Sequence, residues 1–294
     1  MLFDKIYKTR KRPVISFEIF PPKTSSGLSR LKNEILTDLI DLKPDFISVT
    51  YGAMGTTREK TIEIASYIKN DLSQETACHL TCVASSSKDM DNILDSIRGN
   101  NIENIIALRG DPPEGQNQFI NDKNGYLHAN ELVAHIKQYE SREKVKFGIA
   151  VAGYPEKHIE AKSIDEDIKN LKIKVSAGAD AVITQLFFDN SYYYDYINKV
   201  SGYDIHVPII PGLMPIISTK QINKITTMCG SKIPEKLSSE LSYAENDDSK
   251  ATSIGISQCI RQANDLLDSA VPGIHFYVLN HSDHIRQIMK ELNI

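Results

Sequence analysis

A single (β/α)8 TIM barrel is the fold class this sequence predicts, and three observations predict it. Short runs rich in β-branched and aromatic residues alternate with segments of helical periodicity from one end of the chain to the other. The runs number eight and the helical segments match them, which is the barrel count. No G-x-G-x-x-G follows any strand-like run, so an open doubly wound sheet loses its main support. With 294 residues the chain is long enough to bury one such core, and residues 1–294 read as one catalytic barrel with no second domain, internal repeat or low-complexity tract.

The elements follow in order. Residues 14–20 form the first strand and 28–42 its amphipathic helix; 45–51 and 58–68 form the second pair. The third strand is 77–83, with 90–97 inside its helix; the fourth is 102–108, followed by a polar loop over 110–125 and a helix over 129–139. The fifth strand, 145–151, leads to the most heavily marked stretch. There Ser163 and Glu166 make the S-x-x-E capping box, in which each side chain satisfies an orphan N–H, so a helix starts near Ile164. Ile164, Ile168, Leu171 and Val175 form its core-facing stripe, Asp167, Asn170 and Lys174 share a neighbouring face, and Gly178 stops it. The sixth strand, 180–188, carries Thr184 and Gln185 near its far end, where an amide needs a partner in the protein or in a ligand. A helix over 192–200, a strand over 206–211 and a helix over 220–228 come next. A polar stretch, 231–250, holds a short helix after Pro234 and an acidic turn; a long helix over 251–267, a strand over 273–279 and a helix over 284–292 complete the count.

Composition excludes several functions. A net charge of −4 speaks against a nucleic-acid partner, which needs a concentrated basic surface. The one basic cluster, Lys8, Arg10, Lys11 and Arg12, lacks the apolar run and cleavage site of a targeting signal and reads as a solvated N-terminal helix. No stretch has the apolar length of a membrane span. Four cysteines without paired C-x-x-C motifs make neither a disulfide framework nor a metal site, so a reducing cytoplasm is expected; Cys78 and Cys82, four apart on one strand, read as small buried hydrophobes.

Barrel enzymes build their sites at the C-terminal ends of the strands, and polar residues collect there. Glu18 ends the first strand, Thr50 and Tyr51 the second, His79 and Thr81 the third, and Arg109-Gly110-Asp111 the fourth. Tyr154 and His158 follow the fifth, Gln185 ends the sixth and Asn280 the eighth. Glu18, flanked by Phe17, Ile19 and Phe20, is costly to bury without a function or a partner; the structural alternative is a salt bridge across the barrel to Arg109. Gly110 permits a turn or a close ligand approach. His79 alone could be an ordinary core histidine, whereas His158, just before a capped helix, is placed to hold an anionic or aromatic group.

Several separated motifs, SFEIFPPK, SVTYGA, HLTC, ALRGD, YPEKH-x2-AKS, DIKNLKIKVSAGAD, ITQLFFD, IIPGLMP and HFYVLN, resemble in kind and order those of the methylenetetrahydrofolate reductase family of the bacterial type, from about Val14 to the C-terminus. The resemblance implies FAD in the C-terminal mouth of the barrel. It implies that Thr50, Tyr51, Ala53, His79, Arg109, Gly110, Asp111, Ala129, Tyr154, His158, Ala161, Asp167, Asn170 and Lys174 line the cofactor. Asp111, Gln185 and Gln221 would hold the folate or the nicotinamide, and Glu18 would be the general acid, its apolar surroundings raising its pKa and keeping a proton available. NADH or NADPH would reduce the flavin and leave. Glu18 would then help open the five-membered ring of 5,10-methylenetetrahydrofolate to an iminium, and hydride transfer would give 5-methyltetrahydrofolate. Members suggest a homo-oligomer, and no regulatory domain answering to S-adenosylmethionine is expected.

The chain departs from the family pattern at Ile173, where an arginine near the flavin phosphates is usual, at His281, where an arginine follows Leu-Asn, and at Ile225, in place of a stacking aromatic. Two alternatives stay open. A flavin barrel of the proline dehydrogenase kind would act on proline, and a catalytically silent barrel would bind folate or a protein without turning over.

Overall fold

The computed structural model describes residues 1–51, 58–82, 86–110, 125–244 and 247–294. Among them nine strands form one all-parallel sheet: β1 (Val14–Ile19), β2 (Phe46–Val49), β3 (Thr76–Thr81), β4 (Asn104–Leu108), β5 (Gly148–Gly153), β6 (Ala181–Thr184), β7 (Ile209–Ile210), β8 (Gly212–Leu213) and β9 (Gly273–Tyr277). Their order is β7-β6-β5-β4-β3-β2-β1-β9-β8. Of the expected seventh strand, 206–211, only β7 forms; Pro211, which has no N–H to give to a ladder, ends it, and a further short strand, β8, follows. β7 pairs with β6 and β8 with β9, so the chain closes the barrel as it passes from one ladder to the other.

Thr184 locks that closure. Its Oγ1 accepts the Gly212 N–H at 2.9 Å and its carbonyl accepts the Tyr277 hydroxyl at 2.6 Å. A Cβ on Gly212 would lie 2.3 Å from that carbonyl and 2.7 Å from the Tyr277 ring, so the seam admits only glycine. The sixth strand ends here rather than at residue 188, because Leu186 and Phe188 turn into a separate core with Met214, Ile216 and Ile222. The fifth strand starts at Gly148, three residues later than expected, since Val145 still donates to the Glu140 carbonyl of the preceding helix end.

Two-residue periodicity divides the barrel strands. Ile15, Phe17, Ile19, Cys78, Leu80 and Val182 point outward under the helices, where burial pushes the Cys78 thiol up to about 12. Val14, Phe46, Ala77, Ile106, Ala150 and Ile210 fill the lower interior. The N-terminal helix Phe3–Thr9 is no solvated helix: Phe3 and Ile6 are buried against that lower layer and plug the barrel floor. Arg10 and Arg12 lie beyond the helix and reach the Asp45 carboxylate at 2.7 and 3.0 Å, while Asp45 also accepts the Ile15 N–H at 2.9 Å. Asp45→Ala is expected to cost about 2 kcal/mol, because both arginines can turn to water but the buried N–H cannot. A urea midpoint unchanged from the parent would show that this clamp contributes nothing.

Candidate active site

Glu18 ends β1 on its inward face, level with His79 on β3 and Tyr277 on β9, and is 8% exposed. Its Oε2 lies 3.2 Å from His275 Nε2, 3.0 Å from His79 Nε2 and 3.4 Å from the Ser48 hydroxyl. The wholly buried His275 is held from behind, with Nδ1 2.8 Å from Ser16 Oγ. Burial pushes the Glu18 pKa up, but the two imidazoles together outweigh it and lower the pKa to about 2. The expectation of a raised pKa in an apolar setting is therefore wrong for the open cavity. Phe17 and Ile19 point away from the carboxylate, and its actual neighbours are the His275 and His79 imidazoles and the Ser48 hydroxyl. Nor does Glu18 pair with Arg109, which forms a fork with Glu160 at 2.5 and 2.8 Å.

Above Glu18 opens a cavity of about 400 Å3 whose walls include Tyr51, His79, Tyr154, Gln185, Ile225 and Tyr277. A second cavity of about 390 Å3 adjoins it, lined by Ala129, Ala161, Asp167, Asn170, Ile173 and Lys174 among others. Leu108, Arg109, Ala152, Tyr154 and His158 belong to both. The space is thus elongated, apolar with one acid at the first end and polar at the second.

The polar end is built by the helix Ile164–Ser176, which Ser163 caps by accepting the Glu166 N–H. The face carrying Asp167, Asn170 and Lys174 is turned toward β5 and the cavity, as its position before a site strand suggested. Lys174 donates to the Ala152 carbonyl at 2.5 Å and stands 5.5 Å over the Tyr154 ring. Burial lowers its pKa to about 8 against the opposing pull of Asp167. Asp167, itself raised by burial, accepts the His158 N–H at 3.2 Å. His158 meets Tyr154 edge-on at 4.7 Å, and its Nδ1 accepts the Glu160 N–H, so the neutral ring carries its proton on Nε2.

Most residues expected at the site converge on these two cavities. Gly110 sits at φ +88°, a conformation that favours glycine. Gln185 lines the first cavity with Oε1 accepting the Leu186 N–H, its Nε2 having no protein partner among the described residues. Thr50 lines neither cavity; its N–H goes to Ile19 and its carbonyl takes the Thr61 hydroxyl. Gln221 is also outside both, because its amide oxygen accepts the Ile217 N–H at the start of its own helix, while Ile225 one turn later does reach the first cavity. Asn280 clasps the Phe20 backbone through both amide atoms, and His281 stacks on His284 at 5.2 Å. Ala53 and Asp111 lie outside the described residues. His275, Tyr277 and Ser48 were missed. The signal was the alternation of β9, which puts His275 and Tyr277 on the same inward face, and the register that sets Ser16 opposite His275 and Glu18 opposite Ser48.

Among the described residues no helix is long and apolar enough to cross a membrane, and no group of side chains is arranged to hold a metal ion.

A family model described as methylenetetrahydrofolate reductase matches residues 2–293. The chain is 39% identical over 288 residues to methylenetetrahydrofolate reductase (NADH) 1 of Arabidopsis thaliana, covering 94% of this chain and 48% of that protein. It is 36% identical over 280 residues to 5,10-methylenetetrahydrofolate reductase of Escherichia coli, covering 95% and 90% respectively. It thus spans about half the length of the plant relative and most of the bacterial one. Among solved structures, a protein from Clostridium thermocellum that binds two copies of 5-methyl-5,6,7,8-tetrahydrofolic acid superposes with a TM-score of 0.63 over 99% of this chain and 97% of that one. At 17% identity this likeness speaks for the fold alone.

Proposed function

The chain belongs to the methylenetetrahydrofolate reductase family, and on that premise we propose that it reduces 5,10-methylenetetrahydrofolate to 5-methyltetrahydrofolate with electrons from NADH or NADPH passed through bound FAD. The observation that carries this reading is the pair of joined cavities with a single carboxyl at the apolar end and Lys174, Asn170 and Asp167 at the polar end. An elongated dinucleotide with a flat ring at one end and phosphates at the other fits that division, and the residues present suit it. Tyr51, His79, Arg109, Gly110 and Tyr154 would hold the ring end, and His158, Ala129, Ala161, Asp167, Asn170 and Lys174 the ribose and phosphate end. When bound, FAD supplies the hydride relay that no side chain can perform.

The protein's own groups do the rest. Gln185 offers a free amide to whichever substrate occupies the first cavity, and Glu18 supplies the proton that opens the folate ring. The NADH in the plant relative's name favours NADH as donor. We further take the barrel to work as one catalytic unit in a homo-oligomer, and its four free thiols suit a reducing cytoplasm.

The test is spectroscopic. Purified protein reconstituted with FAD should show an oxidised-flavin absorbance that NADH or NADPH bleaches and methylenetetrahydrofolate restores. Protein that cannot take up FAD would favour the silent barrel, and a spectrum bleached by proline instead would favour the proline dehydrogenase kind.

A further inference from the structure

A carboxyl has two oxygens, and Glu18 uses them differently. Every contact the side chain makes falls on Oε2: His275 Nε2 at 3.2 Å, His79 Nε2 at 3.0 Å and Ser48 Oγ at 3.4 Å. Oε1 has no protein partner among the described residues and is not sealed from the cavity. His275 is the fixed member of the set. It is 0% exposed, its ring packs between Phe46 at 6.2 Å and the edge of Tyr277 at 5.2 Å, and Ser16 Oγ stands 2.8 Å from Nδ1. With the Ser16 hydroxyl donating to Nδ1, the neutral ring carries N–H on Nε2 and donates to Oε2.

We propose that His275, backed by Ser16, is a positioning residue that holds Oε2 as the acceptor and so assigns the transferable proton of Glu18 to Oε1, on the cavity side. This rests on the acid role proposed above. A proton on Oε2 would point at the His275 N–H and have to displace it, whereas a proton on Oε1 disturbs no contact. The same His275 tautomer then serves both charge states, and the acid can give up and regain its proton without moving a buried ring.

In the step itself the O–H bond at Oε1 breaks and its electron pair stays on that oxygen. The proton goes to the substrate ring nitrogen, whose bond to the methylene carbon breaks with the pair going to nitrogen. Oε1 recovers a proton from cavity water after turnover. The titratable groups facing Glu18 are His79 from β3 and His275 and Tyr277 from β9. Tyr277 gives its hydroxyl proton to the Thr184 carbonyl at 2.6 Å and is not the source.

The experiment compares His275→Leu with His275→Gln in the FAD-loaded enzyme, following the two half-reactions separately across pH. In His275→Leu, flavin reduction by NADH should stay within about twofold of the parent while the folate half-reaction slows about 10- to 100-fold. Losing a donor leaves the carboxylate less stabilised, so the Glu18 pKa rises and the alkaline limb of the folate half-reaction moves to higher pH. His275→Gln, whose amide can still donate to Oε2, should recover much of the rate and the parent limb. A readout independent of turnover is the infrared band of the protonated carboxyl in the apoprotein, identified by its loss in Glu18→Gln; it should persist to higher pH in His275→Leu. Equal slowing of both half-reactions, or a limb and band that do not move, would overturn the proposal. If His275→Leu does not fold, Ser16→Ala should shift the band in the same direction by less, and no shift there overturns it too. Should the parent fail to reduce methylenetetrahydrofolate, the reaction falls, while the infrared comparison still decides whether His275 holds the Glu18 carboxylate.

Discussion

Glu18→Gln is expected to retain its flavin and still accept hydride from NADH or NADPH at close to the parent rate, yet to reduce methylenetetrahydrofolate about a thousandfold more slowly or worse. The amide keeps the volume of the acid and can still accept the His275 N–H through its oxygen, so neither the barrel nor the cavity walls should change. What it lacks is a transferable proton. In the open cavity the two imidazoles hold the Glu18 pKa at about 2, so at neutral pH the resting group is a carboxylate. Filling the first cavity with aromatic rings expels water and works in the other direction, penalising the charge and drawing a proton onto the group. The rate of the folate half-reaction should therefore fall as pH rises, while the nicotinamide half-reaction stays nearly flat. Rapid mixing of each half-reaction alone checks both statements. If Glu18→Gln loses both equally, or neither, Glu18 is not the acid.

Lys174→Met should weaken FAD binding by at least about tenfold, the worth of one charge-assisted hydrogen bond to a phosphate. Methionine keeps the stem that packs beside Tyr154 and removes only the ammonium. The loss should be larger than a single cation would suggest, because Ile173, 51% exposed on the wall of the same cavity, provides no second charge. Ile173→Arg placed on Lys174→Met should accordingly recover part of the affinity. The lowered Lys174 pKa of about 8 adds a signature: parent affinity should decline as pH rises through that value, since the deprotonated amine no longer attracts phosphate, and Lys174→Met should show no such decline. Fluorescence titration of apoprotein with FAD measures all three proteins. Equal dissociation constants for parent and Lys174→Met would remove Lys174 from the phosphate end.

Much of the site could be read before any coordinates, because barrel enzymes place their chemistry at strand ends and strand ends are visible as the polar finish of an apolar run. Glu18, His79, Tyr154 and Gln185 were found that way, and all line one cavity. Asp167, Asn170 and Lys174 could be grouped by helical spacing, though spacing alone could not say whether that face met water or ligand. Gln221, which the family resemblance named, lies outside both cavities with its amide oxygen taken by the Ile217 N–H at a helix start, a local competition that motif matching does not register.

The sequence by itself determined the order of the main elements and the class of fold, and its separated motifs the resemblance to the family. The order of elements and the fold class follow from local periodicity and local capping, which act over a few residues. Only the tertiary structure decided that the N-terminal helix plugs the barrel floor, that Pro211 ends the seventh strand and a further short strand closes the sheet, and that the Glu18 carboxylate meets two imidazoles rather than an apolar pocket or an arginine. His79 and His275 lie 61 and 257 residues from Glu18 along the chain, and the charge state of an acid depends on what surrounds it in space.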